Sequence, residues 1–205
     1  MKNKNVSVEN LLFAKMKRGG LGTLFFNEQF DGIAEKAAIR KALQRLTQNK
    51  IIVRVAQGIY VIPKQSKLVG IVLPGANDIA KAIAKRDRAR IIPTGVQVIN
   101  LLGLSTQVPI NLVYLTDGAP RVVKVGKQTI KLKKTVPKNL SAKGQISGLV
   151  IQALKTIGKE KVNESELKKI RQQLKKEKPE NLLHDIKLAP AWIAEIMKQS
   201  IKIDT

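Results

Sequence analysis

Apolar and polar positions alternate with a helical period between residues 35 and 48. Ile39, Leu43 and Leu46 recur at i, i+4 and i+7 and share one side of a helix. The residues left outside are Lys36, Arg40, Lys41, Gln44 and Thr47, a cationic and hydrogen-bonding surface. At Asn49-Lys50 the pattern changes. Residues 51–55 and 59–62 are rich in β-branched side chains and bracket a short turn at Ala56-Gln57-Gly58, which predicts a hairpin. Upstream, Leu11, Leu12, Ala14 and Met16 give residues 8–18 a partly apolar helical face, closed by Gly19-Gly20. Residues 23–26 read as a short strand, Asn27 as the cap of a brief second helix, and Asp31-Gly32 as a turn. Phe25, Phe26 and Phe30 are expected to form the core on which the long helix packs.

Residues 64–73 read as a linker or short connecting strand, bounded by Pro74-Gly75. Beyond it, Asn77 or Asp78 caps a helix through residue 90, with Ile79, Ala82 and Ile83 inside. Lys81, Lys85 and Arg88 repeat at i, i+4 and i+7 and form a second basic stripe on that helix. A further apolar helix over 96–102 is closed by Gly103. The period then falls to two: 110–115, 121–125 and 129–133, with Asp117-Gly118 as the turn signal, predict a three-stranded antiparallel meander. Lys131 and Lys133 alternate with Ile130 and Leu132, so one face of the third strand is charged. The last third reads as helices over 146–157, from 163 to before Pro179, and 191–201, with Trp192 as a packing residue. The fold class is therefore α+β. A helix running into a tight hairpin is the winged helix-turn-helix order, assigned to residues 1–68. Residues 74–205 form a C-terminal α+β domain with a small antiparallel sheet and several helices.

Charge sharpens this picture. The 205 residues carry a net charge of +23. Residues 1–70 have 13 Lys+Arg against 4 Asp+Glu, 71–140 have 12 against 3, and 141–205 have 13 against 8. The excess is greatest in the first two thirds, and an anionic partner follows, nucleic acid ahead of a membrane surface. Basic residues on an exposed helix are ordinarily only solvated, but Arg54 and Gln57 at the wing stand where a phosphate or minor groove would be met. Arg40 and Gln44 are the expected base readers, because their forks suit guanine and adenine edges. Lys36, Lys41, Arg45, Lys50 and Arg54 are expected on phosphates. The second basic surface, Lys81, Lys85, Arg88, Lys131 and Lys133, suits more DNA, self-association on a palindromic site, or a protein or RNA partner; a merely solvated face is the plain alternative.

Candidate chemistry is sparse. With no cysteine there is no disulfide, thiolate ligand or cysteine nucleophile. The single His184 has only the adjacent Asp185, and a structural or capping role suits it better than catalysis. Gly19-Gly20-Leu21-Gly22 lacks the Lys-Ser/Thr pair of a phosphate loop, and no metal-ligand spacing occurs. No catalytic residue, metal or cofactor is expected, nor an enzyme. No apolar run of membrane-spanning length exists, and the first ten residues lack a leader's hydrophobic centre, so a cytoplasmic protein without a membrane partner is expected.

The series K-R-G-G-L-G-T-L-F-F at 17–26, A-I-R-K-A-L-Q-R-L at 38–46 and R-V-A-Q-G-I-Y at 54–60 resembles the winged-helix start of AbiEi-type antitoxin regulators. So do K-R-D-R-A-R-I-I-P-T-G at 85–95, G-L-S-T-Q-V-P at 103–109, N-L-V-Y-L-T-D-G at 111–118, N-L-L-H-D at 181–185 and the Pro190 to Trp192 region. The resemblance implies a bacterial type IV toxin-antitoxin partner. In that family an N-terminal winged helix binds repeats in its own promoter, and the C-terminal domain opposes a nucleotidyltransferase-like toxin. Double-stranded DNA carrying operator repeats is the expected partner, with a cognate toxin or RNA and association on DNA left open. The alternative is an RNA- or toxin-binding protein that uses its basic C-terminal domain, with the winged helix as scaffold.

Overall fold

The computed structural model describes residues 7–202; most of the residues read for a leader lie outside them. The fold is α+β. Residues up to 82, with 123–126, form one compact unit, and 83–122 with the residues from 127 onward form another. The division falls inside a helix, whereas the sequence reading divides the chain between 68 and 74.

The first unit begins with α1 (Val8–Gly19), where the Ser7 hydroxyl accepts from the Asn10 N–H at 3.3 Å. Strand β1 (Leu24–Phe26) and a 3-10 turn (Asn27–Phe30) follow. Asn27 is the first residue of that turn rather than its cap, and the Gln29 side chain accepts from the Phe26 N–H at 2.8 Å. Next comes α2 (Lys36–Gln48), then β2 (Val53–Ala56) and β3 (Ile59–Val61). The sheet order is β1-β3-β2, all antiparallel, so the first strand closes one edge of the wing. The Gln57-Gly58 turn has Gly58 at φ 70°, a left-handed conformation that a side chain disfavours. Leu12 and Met16 of α1 pack with Phe25, Phe30, Ile39, Ala42, Leu43 and Leu46, and the Phe25 and Phe30 rings stack with centroids 6.1 Å apart. Residues 64–73, read as a linker or short connecting strand, form two short strands paired as a separate antiparallel hairpin, β4 (Lys64–Ser66) and β5 (Gly70–Val72).

Helix α3 (Ala76–Arg86) is shorter than its sequence pattern. Arg88 lies beyond it at φ 53°, in a left-handed cap where the Ala89 N–H donates to the Ala84 carbonyl at 2.9 Å and the Arg88 N–H to Lys85 at 3.2 Å. Arg88 therefore does not continue the stripe of Lys81 and Lys85. The residues after it turn into β6 (Ile91–Thr94), a strand that sequence periodicity missed, followed by α4 (Val96–Leu101).

The predicted meander is also corrected. Strands β7 (Asn111–Thr116), β8 (Arg121–Val125) and β9 (Gln128–Lys134) are present, but the order is β6-β7-β9-β8. Strand β9 lies parallel to β7, from Asn111 opposite Thr129 to Thr116 opposite Lys134, and β6 is antiparallel to β7. Asp117-Gly118 does not make a tight hairpin, since β9 lies between β7 and β8. The Asp117 carboxylate accepts from the Arg90 N–H at 2.7 Å and from Arg90 Nε at 2.8 Å, which holds its pKa below the ordinary carboxylate value. Thr116 Oγ1 donates to the Arg90 carbonyl at 2.9 Å. The chain is tied to the β6 side and then passes the end of β9 to reach the far edge.

The helical remainder is α5 (Gln145–Ile157), α6 (Glu164–Leu174), α7 (Pro179–Ile186) and α8 (Ala191–Lys202). Helix α7 was not anticipated. Val98, Leu102, Val150, Leu154, Ile170, Leu174, Ile193 and Met197 form one core, with Trp192 packed against it. At its margin two carboxylates cap α5, whose own cap residue is glycine. Asp185, fully buried, accepts from the Lys143 N–H at 2.8 Å, the Gly144 N–H at 2.9 Å, the Ser147 hydroxyl and His184 Nδ1. Glu177 accepts from the Ile146 N–H at 2.8 Å and the Ser147 N–H at 3.3 Å. A Cβ at Gly144 would lie 2.4 Å from the Glu177 carboxylate, so only glycine leaves room for the cap. His184 is a partner of this cap.

Burial disfavours ionised Asp185, but the hydrogen bonds from Ser147, His184 and the two N–H groups outweigh it, and its pKa is lowered. A lowered carboxylate pKa stabilises the fold above the unfolded value near 4 and ceases to do so as pH falls through the folded value. Asp185→Asn should therefore cost about 2–4 kcal/mol near neutral pH, because it leaves buried donors short of acceptors. Urea unfolding followed by the fluorescence of Trp192, which reports this core, should show the difference from wild type shrinking below about pH 4. A pH-independent difference would contradict the ionised cap.

A candidate nucleic-acid interface

The outward side of α2 and the wing enclose a groove of about 410 Å³, lined by Asn27, Arg40, Gln44, Thr47, Gln48, Arg54, Gln57, Gly58 and Tyr60. Four of the eight candidate DNA-binding residues, Arg40, Gln44, Arg54 and Gln57, are thus brought together from two elements, and all four are exposed. The helix presents Arg40 and Gln44 because Ile39, Leu43 and Leu46 are buried on its other side. The wing presents Arg54 through a bulge: Arg54 pairs with Tyr60 and Ala56 with Ile59, leaving Val55 extra. Ala56 can then face the core while Arg54 stays in solvent.

The remaining four candidates are placed differently. Lys36 and Arg40 border a second concavity of about 280 Å³ with Asn27, Glu28 and Asp31, so this end of α2 has an acidic rim. Lys41 and Arg45 turn toward the start of α1, where they line a hollow with Ser7, Val8 and Glu9. Arg45 donates to Glu9 at 3.0 Å, an exposed pair that lowers the charge this arginine offers a phosphate. Lys50 stands in the turn between helix and wing, exposed, at φ 58°.

Sequence reasoning overlooked Asn27, Gln48 and Tyr60. Tyr60 carried a readable signal, since the alternation of Ile59 and Val61 inward sends it to the other face. Asn27 carried none: its N–H donates to the Gly58 carbonyl at 3.1 Å, a contact made only when the wing folds back over the 3-10 turn. Thr47, which also lines the groove, donates its hydroxyl to the Leu43 carbonyl at 2.8 Å.

The second basic surface is less unified. Lys81 and Lys85 are exposed on α3, Arg88 sits in the following turn, and Lys131 and Lys133 lie on β9. Register places Val113 beside Lys131 and Leu115 beside Lys133, so cationic and aliphatic positions alternate across that sheet face. Among the described residues no group of three or more His, Asp or Glu is placed to hold a metal ion, and no helix is long and apolar enough to cross a membrane.

A family model matches residues 11–182, which takes in the groove, the mixed sheet and helices α5 and α6. The chain belongs to DUF6088, a family of unknown function. No curated protein matches it. The match reaches into both compact units of this DUF6088 chain and ends before α8.

Lys50 provides a test of the groove's frame. Its N–H donates to the Thr47 carbonyl at 3.0 Å and the Ile51 N–H to Leu46 at 3.0 Å, a left-handed helix cap in which glycine is the least strained residue. Lys50→Gly should raise stability by about 1 kcal/mol in chemical denaturation. The same change should weaken duplex binding and reduce the slope of log affinity against log salt by about 0.9. A loss of stability would show that the lysine side chain, and not its backbone, holds this turn.

Proposed function

We propose that this chain is a sequence-specific regulator of double-stranded DNA, acting in the cytoplasm as an antitoxin. It represses its own type IV toxin-antitoxin operon through operator repeats and opposes a nucleotidyltransferase-like toxin. The observation that carries the DNA half is the convergence of Arg40, Gln44, Arg54 and Gln57 on one open groove. Arginine and glutamine side chains form paired hydrogen bonds to guanine and adenine edges in a major groove, and Arg54 and Gln57 on the wing are suited to the adjoining backbone. Support for the antitoxin half comes from the AbiEi-type motifs, which extend through both units. The reading assigns the chain no catalysis, cofactor or metal.

A second reading takes the β9 face as the binding surface. Lys131 and Lys133 beside Val113 and Leu115 offer charge and apolar area together, which suits RNA or a toxin, with the N-terminal unit as scaffold.

The deciding measurement titrates the full chain against DNA from upstream of its own reading frame and against scrambled duplex, across a salt series. A preference of about a thousandfold at physiological salt is expected of a specific regulator. Uniform, salt-labile binding would mean that the charge of +23 acts only as charge and would favour the second reading. Within the specific complex, Arg40→Ala should relax preference by about 1–3 kcal/mol at one base pair, and Gln44→Ala at another. Lys41→Ala should weaken all duplexes alike. Equal losses on upstream and scrambled DNA for Arg40→Ala would remove it from base reading.

A further inference from the structure

The hairpin of β4 and β5 has no role in the groove and does not bury its apolar residues. It pairs Lys64 with Val72, Gln65 with Ile71 and Ser66 with Gly70, and Lys67-Leu68-Val69 closes its tip. Among the described residues no third strand joins it. Leu68 is 94% exposed, Val69 72% and Ile71 62%, a run of aliphatic surface that a protein does not ordinarily leave in water without a partner.

The root of the hairpin is firmly set in the first unit. The Gly22 N–H donates to the Ile62 carbonyl at 2.8 Å, and a Cβ on Gly22 would lie 2.6 Å from the Lys64 Cε, so the lysine stem lies across the backbone there. A fixed base thus carries a free apolar tip. Charge indicates what the tip meets. From Lys36 to Asn77 the sequence contains no carboxylate, while Lys36, Arg40, Lys41, Arg45, Lys50, Arg54, Lys64 and Lys67 all fall within it. Helix, wing and hairpin therefore share one acid-free span, the pattern expected where a continuous polyanion is followed.

We infer that the β4–β5 hairpin is a minor-groove arm. Lys64 and Lys67 contact phosphates, and Leu68 and Val69 enter between base steps and bend the duplex next to the segment held by α2. The minor groove, about 6 Å wide, admits a narrow loop tip, and aliphatic wedges flanked by cations are a recurring means of kinking DNA there. A second copy of the chain is the weaker occupant, because two molecules of charge +23 repel. The inference rests on the proposed DNA-binding function and adds a second contact and a deformation to it.

The test compares the full-length chain with L68S/V69S, both positions being exposed, after equal thermal melts confirm folding. The probes are circularly permuted fragments of the DNA upstream of its own reading frame, which report bending by electrophoretic mobility, and an end-labelled duplex for energy transfer. Wild type should bend the fragment. The variant should lose the bend and about tenfold to a hundredfold in affinity, yet still prefer upstream over scrambled duplex. Equal bend and affinity in the variant would overturn the arm while leaving the groove reading intact. Absence of any preference in the wild type would overturn the groove reading, and the arm with it. A substitution effect seen only on self-association in sedimentation, or only on binding to phosphatidylserine vesicles, would assign the hairpin to a second copy or a lipid surface and overturn the proposal.

Discussion

The burial of Ile39, Ala42, Leu43 and Leu46 against α1 and the stacked Phe25–Phe30 pair is the contact on which the first unit depends. Each large apolar side chain so buried stabilises the unit by about 1.5–3 kcal/mol, more than any exposed ion pair there contributes. It also fixes the rotation of α2 about its own axis. With one stripe committed to the core, Arg40, Gln44 and Thr47 must face the wing, while Lys41 and Arg45 must turn toward α1. The chemistry of the groove is thus a by-product of apolar packing, and an inward substitution at Leu43 would disturb it without touching a groove residue.

The second unit relies on a different constraint. Helix α5 starts at a glycine that has no side chain to satisfy its first N–H groups, so Asp185 and Glu177 supply the acceptors from elsewhere in the chain. A buried carboxylate is tolerated there because four donors surround it, and in turn it ties α7 to α5, while Glu177, just past α6, makes the second tie to α5. His184, the one residue that invites a catalytic reading, is thereby drawn into a structural network.

Positive charge has an uneven meaning across the chain. On the exposed side of α2 and the wing it lines one open groove. Elsewhere part of it is consumed internally: Arg90 holds the Asp117 loop, Arg121 pairs with Asp87 at 2.6 Å, and Arg45 pairs with Glu9. Net charge therefore overstates the cationic surface available to a partner.

The sequence by itself determined the elements whose pattern is local. The period of Ile39, Leu43 and Leu46 located α2 to within a residue, the β-branched runs around Gln57-Gly58 located the wing, and the exposed candidates on both could be named from it. Only the tertiary structure decided what depends on distant partners. The parallel pairing of β7 with β9 displaced the expected meander, and Asp117, read as its turn residue, bonds to Arg90, 27 residues away. Arg88 lies past its helix in a left-handed cap, and the chain after it enters β6, a strand that has meaning only beside β7. Asn27 came to the groove through a contact with the wing turn. Helical and strand periods are set by neighbours a few residues apart and are written into any short stretch, whereas strand order and side-chain capping depend on which distant groups the fold brings to a free donor or acceptor.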